Sequence, residues 1–122
     1  MRLQNNMYRI QQWNDDQTAA DIALLADHVI YRAHFPGQPV TPGVCILQII
    51  GELLEDRLGE TLQLTTVKNL KFVRPLSPVE NNEVTVTFRH IDSEGETVKT
   101  KGDITAGGET FTSFSLIYAK GD

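Results

Sequence analysis

The chain has 122 residues, 40% of them apolar, which is enough for the core of one ordinary domain. A net charge of −5 argues against nucleic acid as a partner. The lone cysteine, Cys45, has no internal partner for a disulfide, as expected for a reducing compartment. No stretch approaches the roughly 18 apolar residues of a membrane helix, and the opening MRLQNNMYRIQQWNDD lacks the apolar run of a signal peptide. The expectation is one domain, 1–122, in the cytoplasm and away from membranes.

Residues 7–12 (MYRIQQ) and 21–26 (DIALLA) read as short strands, and 27–33 (DHVIYRA) as a connection. HFPGQPVTPGV, 34–44, then holds three prolines and two glycines in eleven residues. Prolines fix their own φ and restrict the residue before them, so this is a stiff arm. Thr41 is a good N-cap residue and Pro42 suits a first helical position. Gly43 and Val44 would follow in the first turn, where backbone N–H groups lack helical partners and the helix dipole favours negative charge. An amide on a glycine there can be approached closely by a ligand carbonyl. His34, at the other end of the arm, is a candidate base; a lone histidine is as readily a surface or core residue, the reading taken for His28 and His90.

VCILQIIGELLEDRLG, 44–59, is helical, with Ile46, Ile50, Leu53, Leu54 and Leu58 at spacings of three and four. Its front half is apolar nearly all round and should be buried on all sides. Glu52, Glu55, Asp56 and Arg57 should reach water, and Gly59 is a stop signal. At 1.5 Å per residue the helix is about 25 Å long. Thereafter the period is two. Residues 62–73 form a strand, Val84, Val86 and Phe88 alternate with Thr85, Thr87 and Arg89, and strands 96–105 and 110–119 follow turns at 92–95 and 106–109. The expected fold is a mostly antiparallel sheet around one buried helix, with the last three strands neighbours. Lys68, Lys71 and Arg74 fall within seven residues that contain no acid; they form either a solvated strand face or a docking patch for an acidic partner. Cys45 has no nearby base and reads as a small core residue. No Cys/His/Asp cluster has metal-ligand spacing, and no glycine-rich phosphate loop is present.

HFPGQPVTPGV closely resembles the signature of the β-hydroxyacyl-acyl carrier protein dehydratases, and LKFVRPLSP, 70–78, resembles that family's next landmark. The likeness spans about residues 27–78. It implies the α+β hot-dog fold, an antiparallel sheet wrapped around one long central helix, with no cofactor. It also implies a homodimer with active sites at the subunit interface, and leaves a trimer of dimers open. By the same resemblance His34 is the base that takes the proton α to the thioester carbonyl, the Gly43 amide binds that carbonyl, and Phe35 and Val44 line the substrate. The partner would be acyl carrier protein, an acidic protein, with Lys68, Lys71, Arg74 and Arg32 as docking residues.

Where the family has Glu or Asp, fourteen residues after the histidine, this chain has Gln48, and where it usually has Gln, four residues later, this chain has Glu52. Three readings follow: His34 performs both proton transfers, Glu52 replaces the acid from about 6 Å further along the helix, or the site binds acyl chains without turning them over, as partner to an active homologue. Glu52 is equally the start of the solvated half of the helix, and Gln48 a satisfied buried amide. The leading expectation is dehydration of a 3-hydroxyacyl thioester. A binding or partner subunit and a thioesterase, for which Glu52 would be the carboxylate near the thioester, are the alternatives.

Overall fold

A computed structural model describes residues 2–33 and 37–121. The chain order is β1 (Tyr8–Trp13), β2 (Ala19–Leu24), α1 (Val29–Ala33), α2 (Gly43–Leu58), β3 (Leu62–Phe72), β4 (Glu83–Asp92), β5 (Thr97–Ala106) and β6 (Glu109–Lys120). One six-stranded sheet has the order β1-β2-β4-β5-β6-β3, and every pairing is antiparallel. After β2 the chain leaves the sheet for α2, returns as β3 on the far edge, and crosses back to set β4 beside β2. No helix among the described residues is long and apolar enough to cross a membrane.

The period-two pattern carries through to burial. Val84, Val86 and Phe88 of β4 and Phe114, Leu116 and Tyr118 of β6 are buried. In β5, Lys99 and Lys101 are exposed and flank buried Thr100. Against this face α2 lays Ile46, Ile49, Ile50, Leu53 and Leu54. Ile50, Leu53 and Leu54 have no exposed surface, so truncating any of them to alanine removes about 2–5 kcal/mol. Gly59 ends the helix in the left-handed conformation (φ 69°), its amide bonded to the Glu55 carbonyl at 2.8 Å.

Four expectations require correction. The connection 27–33 contains α1, whose first turn is capped by the His28 ring, Nδ1 accepting from the Ile30 amide at 3.1 Å; five residues are too few to display a helical period. Thr41 is not the N-cap. That position belongs to Pro42 (φ −61°, ψ 146°), while Thr41 is buried and its hydroxyl bonds the Tyr31 hydroxyl at 2.8 Å. The front of α2 is not buried on all sides: Val44 is 76% exposed and Gln48 is exposed as well. Glu52 does not begin a solvated half; it is 4% exposed.

Among the described residues β3 pairs with β6 on one side only. Its open edge and the adjoining chain carry exposed Val67, Phe72 and Val73. An open edge with apolar side chains is a surface that pairs readily with another strand.

Candidate active site

The start of α2 supplies the first part of the site. Cys45 and Ile46 amides both close on the Pro42 carbonyl, at 3.0 and 3.1 Å. The Gly43 and Val44 amides therefore precede the first helical bonds and have no acceptor within the helix. Gly43 lines a cleft of about 250 Å³ with Thr41, Ile46, Phe72, Arg74 and neighbours. The Phe72 ring lies so close that a Cβ at position 43 would stand 2.9 Å from its Cζ. Only glycine leaves both the ring and the amide in place. The Pro/Gly arm and the strand landmark 70–78 thus meet here: the Thr41 amide bonds the Leu76 carbonyl at 2.8 Å. Cys45 is buried, and burial raises its thiol above the ordinary range, which suits a packing residue.

Gln48 and Glu52 form the second part, on one face of α2. The Glu52 carboxylate accepts from the Leu3 amide (2.6 Å), the Gln4 amide (2.8 Å), the Tyr8 hydroxyl (3.0 Å) and Gln48 Nε2 (3.0 Å). Burial, and then the Glu52 charge, push the Tyr8 phenol far up. Gln48 and Glu52 line a groove of about 350 Å³ together with Leu47, Gly51, Leu62, Leu64 and Tyr118; Arg2 and Glu55, which pair at 3.3 Å, line it as well. The Tyr118 hydroxyl is buried, without a hydrogen-bond partner among the described residues. Gly43 and Gln48 thus lie on one helix but open into two clefts.

His34 and Phe35 lie outside the described residues. Val44 is exposed beside Gly43, and Lys68 and Lys71 are exposed on the edge strand β3. Arg74 is exposed and already holds Glu109 at 3.0 Å, and Arg32 is exposed on α1. Lys68 shares a groove of the outer sheet face with His90, Lys99 and Lys101. The last two were legible as the Lys-Thr-Lys alternation of β5 and were missed. So were Tyr8 and the amides of Leu3 and Gln4, for which no local pattern exists.

A family model described as ApeI-like, ApeI dehydratase, matches residues 10–109. The 3-hydroxyacyl-acyl-carrier-protein dehydratase FabZ of Latilactobacillus sakei is 32% identical over 72 residues, 53% of this chain and 51% of that protein. Its counterpart in Geobacillus sp. is 27% identical over 104 residues, 80% of this chain and 70% of that protein. The chain therefore spans from about half to 70% of the length of these two relatives. In solved structures, a chain of the dehydratase heterocomplex ApeI:P from Xenorhabdus doucetiae superposes with TM-score 0.62 at 20% identity, covering 90% of this chain and 96% of that one. A thioesterase from Haemophilus influenzae superposes with TM-score 0.64 at 16% identity, covering 98% and 82%. At such identities the structural likeness is one of fold, the hot-dog fold, and it does not separate dehydration from thioester hydrolysis.

Proposed function

The chain belongs to the ApeI-like dehydratase family, and on that premise we propose that it removes water from a 3-hydroxyacyl thioester on acyl carrier protein, leaving the trans-2-enoyl thioester. The observation that carries this reading is Gly43 at the N-terminus of α2, where an amide without a helical acceptor faces a cleft. That amide stabilises the oxygen of the thioester as negative charge develops on it. His34 takes the proton from C2, and an imidazole with an unperturbed pKa near 6.5 suits this at neutral pH. The electron pair forms the C2–C3 double bond, the C3–O bond breaks, and the oxygen takes the proton from His34 to depart as water. Phe35 and Val44 contact the substrate.

In this reading the chain acts in the cytoplasm as one hot-dog unit, paired with a second copy along the open edge of β3. That pairing would cover Val67, Phe72 and Val73 and bring a second chain against α2. A trimer of such dimers is compatible with the same edge. The test is turnover of a 3-hydroxyacyl thioester, read as the ultraviolet absorbance of the conjugated product. Release of free thiol instead would mean a thioesterase. Binding without turnover, on thioesters of several lengths, would mean a partner subunit, a reading favoured by Gln48 standing where the family has an acid.

Lys68 and Lys71, with Arg74 beside them, form the docking surface for the acidic carrier. Lys71→Glu is expected to weaken carrier binding several-fold at low salt, with the difference shrinking as ionic strength rises, because exposed charges are screened within about 10 Å at 0.1 M. Unchanged affinity at low salt would remove this surface from the reading.

A further inference from the structure

Two strand irregularities lie at one level of the sheet. In the β4–β5 ladder Phe88 stands opposite Gly102 and His90 opposite Lys101, so Arg89 is an extra residue. In the β3–β6 ladder Val67 stands opposite Leu116 and Asn69 opposite Ser115, so Lys68 is an extra residue. Lys101 and Ser115 are themselves register partners. A row across four strands therefore runs from His90 through Lys101 and Ser115 to the bulge at Lys68. A one-residue slip moves a side chain to the other face of a sheet, and bulges recur where a side chain is re-aimed. Without its bulge, His90 would fall opposite buried Thr100, on the core face.

Lys99 lies two residues from Lys101 on the same exposed face of β5. Lys68, His90, Lys99, Lys101 and Ser115 line a groove of about 490 Å³. The nearby carboxylates are turned to other partners. Asp92, opposite Lys99 in register, accepts from the Glu94 amide at 3.2 Å, and Asp103 holds Arg89 at 2.7 Å. Among the described residues the side chains of Lys68, Lys99 and Lys101 have no ion pair or hydrogen bond, whereas Arg2, Arg74, Arg89 and Lys120 each face a carboxylate. By strand geometry the backbone of Lys101 is about 7 Å from that of Lys99 and about 10 Å from that of Lys68, with Ser115 between the last two. Like charges set beside one another on a sheet destabilise it. Gathering three lysines around one serine is therefore a cost that a bound anion offsets.

We propose that this groove binds the diphosphate group of a small phosphorylated ligand, with the Ser115 hydroxyl donating from its floor and Lys68, Lys99 and Lys101 surrounding it. His90 closes the row as a further donor. Two linked phosphates carry a charge of about −3 at neutral pH, which three ammonium groups balance. Lysine holds phosphate as a point charge on a flexible stem, so heads rooted this far apart can converge. A long polyanion would meet the rest of a surface whose net charge is −5, which favours a small ligand. The groove lies on the face of the sheet away from α2, and the inference stands independently of the dehydratase reading.

Calorimetric titration with inorganic diphosphate and with ADP, at ionic strength held constant with chloride, tests this. The wild type is expected to bind one diphosphate per chain with Kd below about 1 mM, and its Tm to rise with ligand concentration. Lys101→Ala weakens binding about ten-fold and Ser115→Ala about three-fold, both with the Tm of the free protein nearly unchanged. Lys71→Ala, the same loss of charge on β3 but outside the groove, stays within a factor of about 2 of the wild type. Tighter binding of ADP would place a nucleoside on the ligand, and equal affinity would confine recognition to the phosphates; both support the site. Absence of saturation by either anion up to about 10 mM, or an equal loss in Lys71→Ala, overturns the inference. So does an oligoglutamate peptide or a single-stranded RNA that binds while both anions do not, because the groove would then be a macromolecular surface.

Discussion

Gly102→Ala leaves the chain unable to reach its native fold. Gly102 sits in the middle of β5, opposite Phe88, where β4 carries an irregularity between Phe88 and His90. A Cβ at this position would stand 1.9 Å from the Thr87 carbonyl oxygen and 2.7 Å from Cζ of Phe114. Phe114 is buried and packs edge-on against Phe88, with ring centroids 5.8 Å apart. The Thr87 oxygen is backbone, held by the ladders on both sides of β4. Neither can retreat without breaking the β4–β5 pairing or opening the core. Overpacking a core commonly costs about 1–3 kcal/mol, and more where backbone must move, against a total stability of about 5–15 kcal/mol. The measurement is soluble yield and thermal unfolding beside Gly51→Ala. There the new Cβ meets Tyr118 at an ordinary 3.6 Å, and an alanine inside a helix gains up to about 1 kcal/mol over glycine. A Gly102→Ala protein melting with the wild type would show that the close approach of the two strands is absent.

His34→Ala has the largest expected effect on activity. Removing a general base costs about 10²–10⁴ in rate, so kcat on a 3-hydroxyacyl thioester should fall by that factor while the melting temperature stays put. The pH profile adds a second check. A base must be deprotonated to act, so kcat/KM should fall on the acid side as the imidazole takes up its proton. Position 48, a glutamine, adds no ionisation of its own. Full activity in the variant would remove His34 from the reaction and leave Gly43 without the base that the mechanism requires.

The fold resemblance to both a dehydratase and a thioesterase places the weight of the functional argument on few residues. In the proposed reading the Gly43 amide would serve any chemistry that develops charge on a thioester oxygen. What differs between the two reactions is the group set against the acyl chain. In this helix the Glu52 carboxylate is buried and engaged by four donors.

The sequence by itself determined the elements whose cause is local. The spacing of Ile46, Ile50, Leu53 and Leu54 specifies α2 to within one residue at each end, and Gly59 stops it because glycine enters the left-handed conformation without penalty. Period-two alternation and two glycine turns specify the β4-β5-β6 meander. The arm 34–44 carried the family and the candidate oxygen-binding amide. Only the tertiary structure decided that β3 lies on the far edge beyond β6, since nothing within a strand states which neighbour it will choose. It also decided that Thr41 bonds Tyr31 instead of capping α2. Glu52 is the clearest case. In the sequence it belongs with Glu55, Asp56 and Arg57, the charged back half of the helix, as a residue bound for water. Its burial depends on donors 44 to 49 residues earlier in the chain, and a charge enters a core only where such partners await it. Local chemistry writes helices and turns; the partners of a buried charge exist only once the chain has closed on itself.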